Sequence, residues 1–381
     1  MLGLGTNIIR SAGVKTIVTD NLVLNHGYAL SPVQPLSDGA ASFNGTSDYI
    51  AINAKLVDTA DGTYCWWSNS TQTASQTIFS HGGNDIGTFH ANFGSTGNPL
   101  LYIQGNLYQY WDDTGLADDG KWHHWALVVD VDDMTACKLY CDGVVIPQAA
   151  RSTSGTVTSY GNMELGRWAT SNEFDGYMCN FGVWSSHLTQ PQIKSIMNKN
   201  YADLTASETS DLVSWWNLDS TVDSATEGSS FVYDNHHGGT DTLSGELITN
   251  GTLDTSSGWV IGDFTMSGTA TVTTDGGNQY IQQTNMWDNN AKDGKLLKLS
   301  WEVVENSDSI QLKIGGFSGA EFSASTLDLT STVGSHSMYI EVDGTGNADA
   351  IVLWINHTAG KTLTIDNISL KEVQGNTGKL S

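Results

Sequence analysis

Hydrophobic and polar positions alternate with a period of two along much of this chain, most clearly over residues 120–130. His123, Trp125, Leu127, Val129 and Val131 share one face of an extended strand there, and Trp122, His124, Ala126, Val128 and Asp130 share the other. Both faces carry apolar bulk, which predicts a central strand. A short acidic turn leads to a second strand over 137–141. Asp142 and Gly143 then mark a hairpin, because both tolerate the positive φ that a two-residue loop requires.

The same pattern predicts strands over 41–52, 62–68, 77–80, 88–93, 100–103, 107–111, 162–166 and 174–184, each bounded by Gly, Asn or Asp. One helix is expected, starting from Thr189 as N-cap, with Pro191 early in it and Ile193, Ile196 and Met197 along it. Residues 212–219 read as a strand, and the Ser-, Thr- and Gly-rich 220–230 as a loop. Further strands follow at 270–273, 280–283, 296–304, 310–314, 337–342 and 351–355. The expected fold is therefore all-β: two tandem antiparallel β-sandwich (jelly-roll) domains with an N-terminal arm. Arm and edge strand occupy 1–39, the first sandwich 40–204, a closing strand and linker 205–245, the second jelly roll 246–374 and a tail 375–381.

Composition narrows the function. Sixteen basic against 41 acidic residues leave a net charge of -25, which argues against a phosphate backbone as partner, so no nucleic acid is expected. Only 15% of residues are charged, and 13 Trp with 13 Tyr describe turn-rich sandwiches rather than an acidic disordered chain. Cys65, Cys137, Cys141 and Cys179 lack C-x-x-C spacing and read as buried free thiols, with a Cys65–Cys179 bridge as the alternative. The first ten residues lack the pattern of a secretory signal. No apolar run approaches ~18 residues, so no membrane insertion is expected.

The search for chemistry yields binding rather than catalysis. Paired-carboxylate strands of the form Glu-x-Asp-x-x-Glu begin at Glu173 and Glu341, but Met178 and Gly346 stand where the third carboxylate belongs. No nucleophile elbow, phosphate loop or zinc-protease helix is present, so no enzyme is expected. His123 and His124 point to opposite faces of one strand and cannot chelate one ion together, and His236–His237 read as a solvated turn. Aromatic rings near loops offer stacking faces for sugars: Tyr110 and Trp111 before Asp112 and Asp113, Trp168 beside Arg167 and Asn172, and Trp287 followed by Asp288, Asn289 and Asn290. Core packing is the alternative for each ring.

Five motifs in order, at 42–50, 63–67, 122–126, 139–143 and 174–176 ahead of 183–189, resemble the concanavalin A-like jelly rolls of laminin G-like and pentraxin-like type. Where many relatives carry an acidic pair after Phe-x-Gly, this chain has Cys179 and Asn180, which removes support for a family-type calcium there. The pair Asn250-Gly-Thr-Leu-Asp254 and Ile365-Asp-Asn367 is similar to the bookends of family-four carbohydrate-binding modules. That resemblance implies an approach of the two segments and offers Asp254 and Asp366 as ligands of a structural calcium, with no other cofactor required. Tandem sandwiches behind an arm resemble structural proteins of marine bacteriophage virions. The resemblance implies a head-decoration, fibre or tail component that is assembled in the host cytoplasm and forms a homo-oligomer. The arm would join it to other virion proteins, and the sandwiches would face cell-surface glycans. The alternatives are a free extracellular carbohydrate-binding protein of a bacterium and a glycoside hydrolase with an unfamiliar site.

Overall fold

A computed structural model describes residues 10–11, 14–15 and 34–380, apart from 53, 55, 57–60, 82–87, 92–98, 104–106, 154–160, 169–171, 225–229, 238–241, 289–290, 293, 316–325 and 343–348. Strands dominate, and the chain divides into two compact units, Met1–Ser220 and Thr221–Ser381. Most of the expected arm lies outside the described residues. Within it, Arg10–Ser11 pairs with Val14–Lys15.

The first unit is built on the strand that the alternation marked as central. His123–Val129 is buried at all seven positions and lies between Gly62–Asn69 and Lys138–Cys141. The sheet continues on one side through Asp175–Trp184 to Leu212–Trp216, and on the other to Val144–Val145. Asp142 and Gly143 turn the expected hairpin with φ of 49° and 72°, the doubly positive geometry of a primed turn. Large aromatic rings join this sheet to the strand Phe79–His81, which pairs with Met163–Leu165. Tyr64 stacks on Phe79 at 4.6 Å, and Trp66 stacks between Trp125 at 6.5 Å and Phe181 at 6.2 Å.

The opposite face of the same strands is covered by the only α-helix among the described residues, Gln190–Ile196. Its Ile193 and Ile196 pack with Cys65, Ala126, Val128 and Trp184. The expected start holds: the backbone N–H and the hydroxyl of Thr189 both donate to Gln192 Oε1, at 2.8 and 2.7 Å. Gly182 is required beneath it, because a Cβ there would stand 2.7 Å from the rings of both Trp184 and Trp215. Asn180 occupies a bulge of Asp175–Trp184 at φ 50° and donates from its side chain to Leu36 O at 3.1 Å. All four cysteines are buried and free.

The second unit holds two five-stranded antiparallel sheets. One runs Val260–Gly262, Asn278–Gln283, Ile351–Asn356, Leu312–Ile314, Leu327–Leu329. The other runs Thr265–Met266, Ala270–Thr273, Thr362–Glu372, Leu296–Asn306, Gly334–Glu341. Leu297, Leu299, Trp301 and Val303 alternate inward along one long strand and meet Ile281, Leu353 and Ile365 in a single apolar core. Ser230–Val232 also belongs to this unit and pairs with Gly378–Leu380.

The two bookend segments meet. Ile368 N donates to Gly251 O at 2.8 Å, and a Cβ on Gly251 would stand 1.9 Å from Ile368 O, so only glycine permits the approach. Glu246 fastens the same strand: Oε1 accepts from Leu370 N at 2.7 Å and Oε2 from the Ser369 hydroxyl at 2.6 Å.

Candidate functional site

The aromatic candidates separate once the strands are placed. On Leu107–Trp111 the positions 107, 109 and 111 face inward and 108 and 110 outward. Trp111 is therefore fully buried at 0% exposure and offers no face to a sugar, which removes it as a binding residue. Tyr110 is half-buried on the outward side, with its ring edge-on to Tyr108 at 5.4 Å. Burial and the neighbouring Tyr108 hydroxyl push its own hydroxyl up from the ordinary range. Trp168 is half-buried beside Arg167, whose guanidinium binds Glu164 at 3.0 and 2.8 Å and lies 3.1 Å from the centre of the Tyr49 ring. That arginine is committed to structure.

Trp287 differs from the other three. It is packed on one side against the core of the second unit and lines an open cleft of about 500 Å³ together with Asn285, Asp288 and Asp349. Two short segments build this cleft. The turn after Asn278–Gln283 supplies Asn285, Trp287 and Asp288, and the approach to Ile351–Asn356 supplies Asp349. They are tied by the Met286 N–H, which donates to Asp349 O at 2.9 Å. An indole, an amide and two carboxylates thus share one concave surface. Asn289 and Asn290, the other polar neighbours expected from the sequence, lie outside the described residues.

The two calcium candidates sit on the joined bookends. Asp254 is exposed and accepts from the Thr252 hydroxyl at 2.7 Å; Asp366 accepts from Asn367 N at 2.7 Å. Each carboxylate keeps further lone pairs, so the donor chemistry remains that of a hard cation.

The histidines divide as the strand geometry predicts. His124 is buried edge-on to Trp67, ring centres 5.4 Å apart, and burial lowers it to about 3, so it stays neutral. His123, on the other face, is held by Asp142, whose hydrogen bond raises it above the ordinary imidazole value. In the 235–237 turn, His237 Nδ1 lies 2.7 Å from the fully buried Asp234, which also accepts from His236 N and Asn376 N. That carboxylate acts as a loop fastener.

Comparison with known proteins follows this division of the chain. Residues 44–194 match the concanavalin A-like lectin/glucanases superfamily. The match falls within the first unit and includes its central strand and the helix start. A comparison with curated proteins finds no match. Among solved structures, a putative carbohydrate-binding protein from Bacteroides ovatus is similar at 20% identity, covering 51% of this chain and 54% of that one, with a TM-score of 0.38. A heptameric SAP-like pentraxin from Limulus polyphemus is similar at 19% identity, covering 41% and 80%, with a TM-score of 0.36. A family-four carbohydrate-binding module shares 17% identity over 33% of this chain and 99% of that one, with a TM-score of 0.24. At these scores the three stand as similarities only. The architecture itself is all-β and jelly-roll-like, as the alternation indicated.

Proposed function

We propose that this protein binds neutral glycans without cleaving them, and that the Trp287 cleft is where the sugar sits. The observation that carries the reading is the combination in that cleft of an anchored indole with Asn285, Asp288 and Asp349. The apolar face of a pyranose packs on an aromatic ring, while carboxylates and an amide take its hydroxyls. Two carboxylates in one cleft also select against acidic sugars, because a uronate or sialate brought between them meets like charge. The lectin-type family match of the first unit supports the same class of ligand, although it concerns other residues.

Binding is tested by a glycan array followed by calorimetry on the best neutral ligand. Trp287→Ala is expected to weaken that ligand at least tenfold, about 1.4 kcal/mol. An unchanged affinity would sink the assignment of the cleft. Release of reducing sugar from any polysaccharide would overturn the non-catalytic part.

The setting we propose is a virion surface, where the sandwiches meet host or environmental glycans and residues 1–39 attach the chain to the particle and to sister subunits. Tandem sandwiches behind a broken apolar segment support this reading, and a free extracellular binding protein is its alternative. Mass spectrometry of purified particles separates the two. A structural calcium on Asp254 and Asp366 belongs to the same proposal, and calorimetric titration of the protein with calcium checks it.

A further inference from the structure

The turn that closes the central hairpin gathers a second set of ligands, distant in chemistry from a sugar site. Cys141 stands directly opposite Trp125 across the strand pair, so His123, two positions along, is its diagonal neighbour on the same face. The next residue, Asp142, enters the turn at φ 49° and folds its carboxylate back over the strand. Its Oδ1 accepts from His124 N at 2.9 Å, which leaves Oδ2 at 2.7 Å from His123 Nδ1. One ligand atom from each of His123, Cys141 and Asp142 lies within 4.8 Å of the others. Behind the imidazole, Asp119 Oδ1 stands 3.3 Å from His123 Nε2 and is itself fixed by the backbone N–H of Lys121 at 2.9 Å.

We propose that His123, Cys141 and Asp142 form a zinc site. A thiolate sulfur, an imidazole nitrogen and a carboxylate oxygen are the donor set that zinc prefers, and the sulfur disfavours magnesium or calcium. Zinc bonds of ~2.0–2.3 Å set ligand atoms roughly 3.3–3.7 Å apart in a tetrahedron. The His123–Asp142 pair must therefore open by about half an ångström, and the Cys141 sulfur, within 4.8 Å of both, must close by up to about 1 Å, shifts within reach of side-chain rotations. Asp119 then takes the role of the carboxylate that accepts the second ring N–H of a zinc-bound histidine and holds its orientation. Water completes the fourth position, on the side where Asp142 is partly exposed. Binding displaces the Cys141 thiol proton to solvent and exchanges it for the metal bond. The acidic chain, at -25, favours dication capture, although the three ligands decide the place.

The site was hidden in the sequence because its members are 18 and 19 residues apart and meet only through strand pairing. The bland alternative is a hairpin clasp made by the His123–Asp142 ion pair alone. Cobalt distinguishes the two in the full-length protein. One equivalent of Co(II) should produce the near-ultraviolet charge-transfer band of a cobalt thiolate, zinc should displace it, and Cys141→Ala should abolish it while Cys137→Ala leaves it intact. Absence of the band, or its survival in Cys141→Ala, overturns the proposal. X-ray absorption at the zinc edge of the unmodified protein with one equivalent bound reads the same point without a variant: one sulfur in the shell supports the site, and a shell of nitrogen and oxygen alone overturns it.

Discussion

Replacing Trp66 by alanine is expected to cost the first unit about 3–5 kcal/mol, the usual loss for a large buried aromatic truncated to Ala. Its indole is at 0% exposure and touches both layers: it stacks on Trp125 and Phe181 within its own sheet and meets Phe79 edge-on at 6.1 Å from the facing one. The surrounding rings are themselves locked, since Phe79 also stacks on Tyr64 and meets Phe181 at 5.7 Å, so they cannot collapse into the void. A domain of this size has roughly 5–15 kcal/mol in total, so a large share of its margin is removed. Urea unfolding followed by far-ultraviolet circular dichroism measures the effect. A loss below about 1 kcal/mol would show that the stack is not the centre of the fold.

Mild acid should act on the same core through His81. This side chain is fully buried between Tyr64, ring centres 6.1 Å apart, and Phe79, at 6.3 Å. Burial lowers it from an ordinary 6.5 to about 4, because a charged imidazole would lose its hydration there. The folded state therefore takes up its proton later than the unfolded chain. The contribution of His81 to stability is fully present above pH 6.5, falls as the pH drops from 6.5 towards 4, and levels off below, for a total of about 3 kcal/mol from this one group. His123 has the opposite sign: its value is raised by Asp142, so its contribution is present at low pH and lost as the pH rises through that raised value. His124, lowered by burial to about 3, has the same sign as His81, so the two buried rings together set the downward slope in the acid window. His81→Leu removes one of these two titrations while keeping an apolar side chain in place, and its stability profile between pH 6.5 and 4 should be flatter than that of the natural protein, with the His124 share remaining. Parallel profiles would discard the assignment.

Where the fold was readable, local physics and tertiary packing agreed. The two apolar faces of 123–129 implied a strand covered on both sides, and sheet, aromatic layer and helix cover it. Asp142–Gly143 and Thr189 announced their turn and helix because backbone geometry leaves few residue types for such places. The binding residues were less legible. Alternation along Leu107–Trp111 already places Trp111 with Leu107 and apart from Tyr110, so the burial of that tryptophan was available from period alone. Asp349 was not: it reaches Trp287 from more than sixty positions away, through a backbone hydrogen bond between loops. His123 and His124 were correctly separated by strand geometry, yet Cys141 and Asp142 reach His123 from the end of the neighbouring strand and its turn, and register is a property of the pair.

The pairing of Ser230–Val232 with Gly378–Leu380 has an architectural consequence. An early and a late segment of the second unit lie side by side, although about 145 positions separate them along the chain. Loss of either segment strips the backbone N–H and C=O groups of the other of their ladder partners on that side, so the two segments are stabilised together.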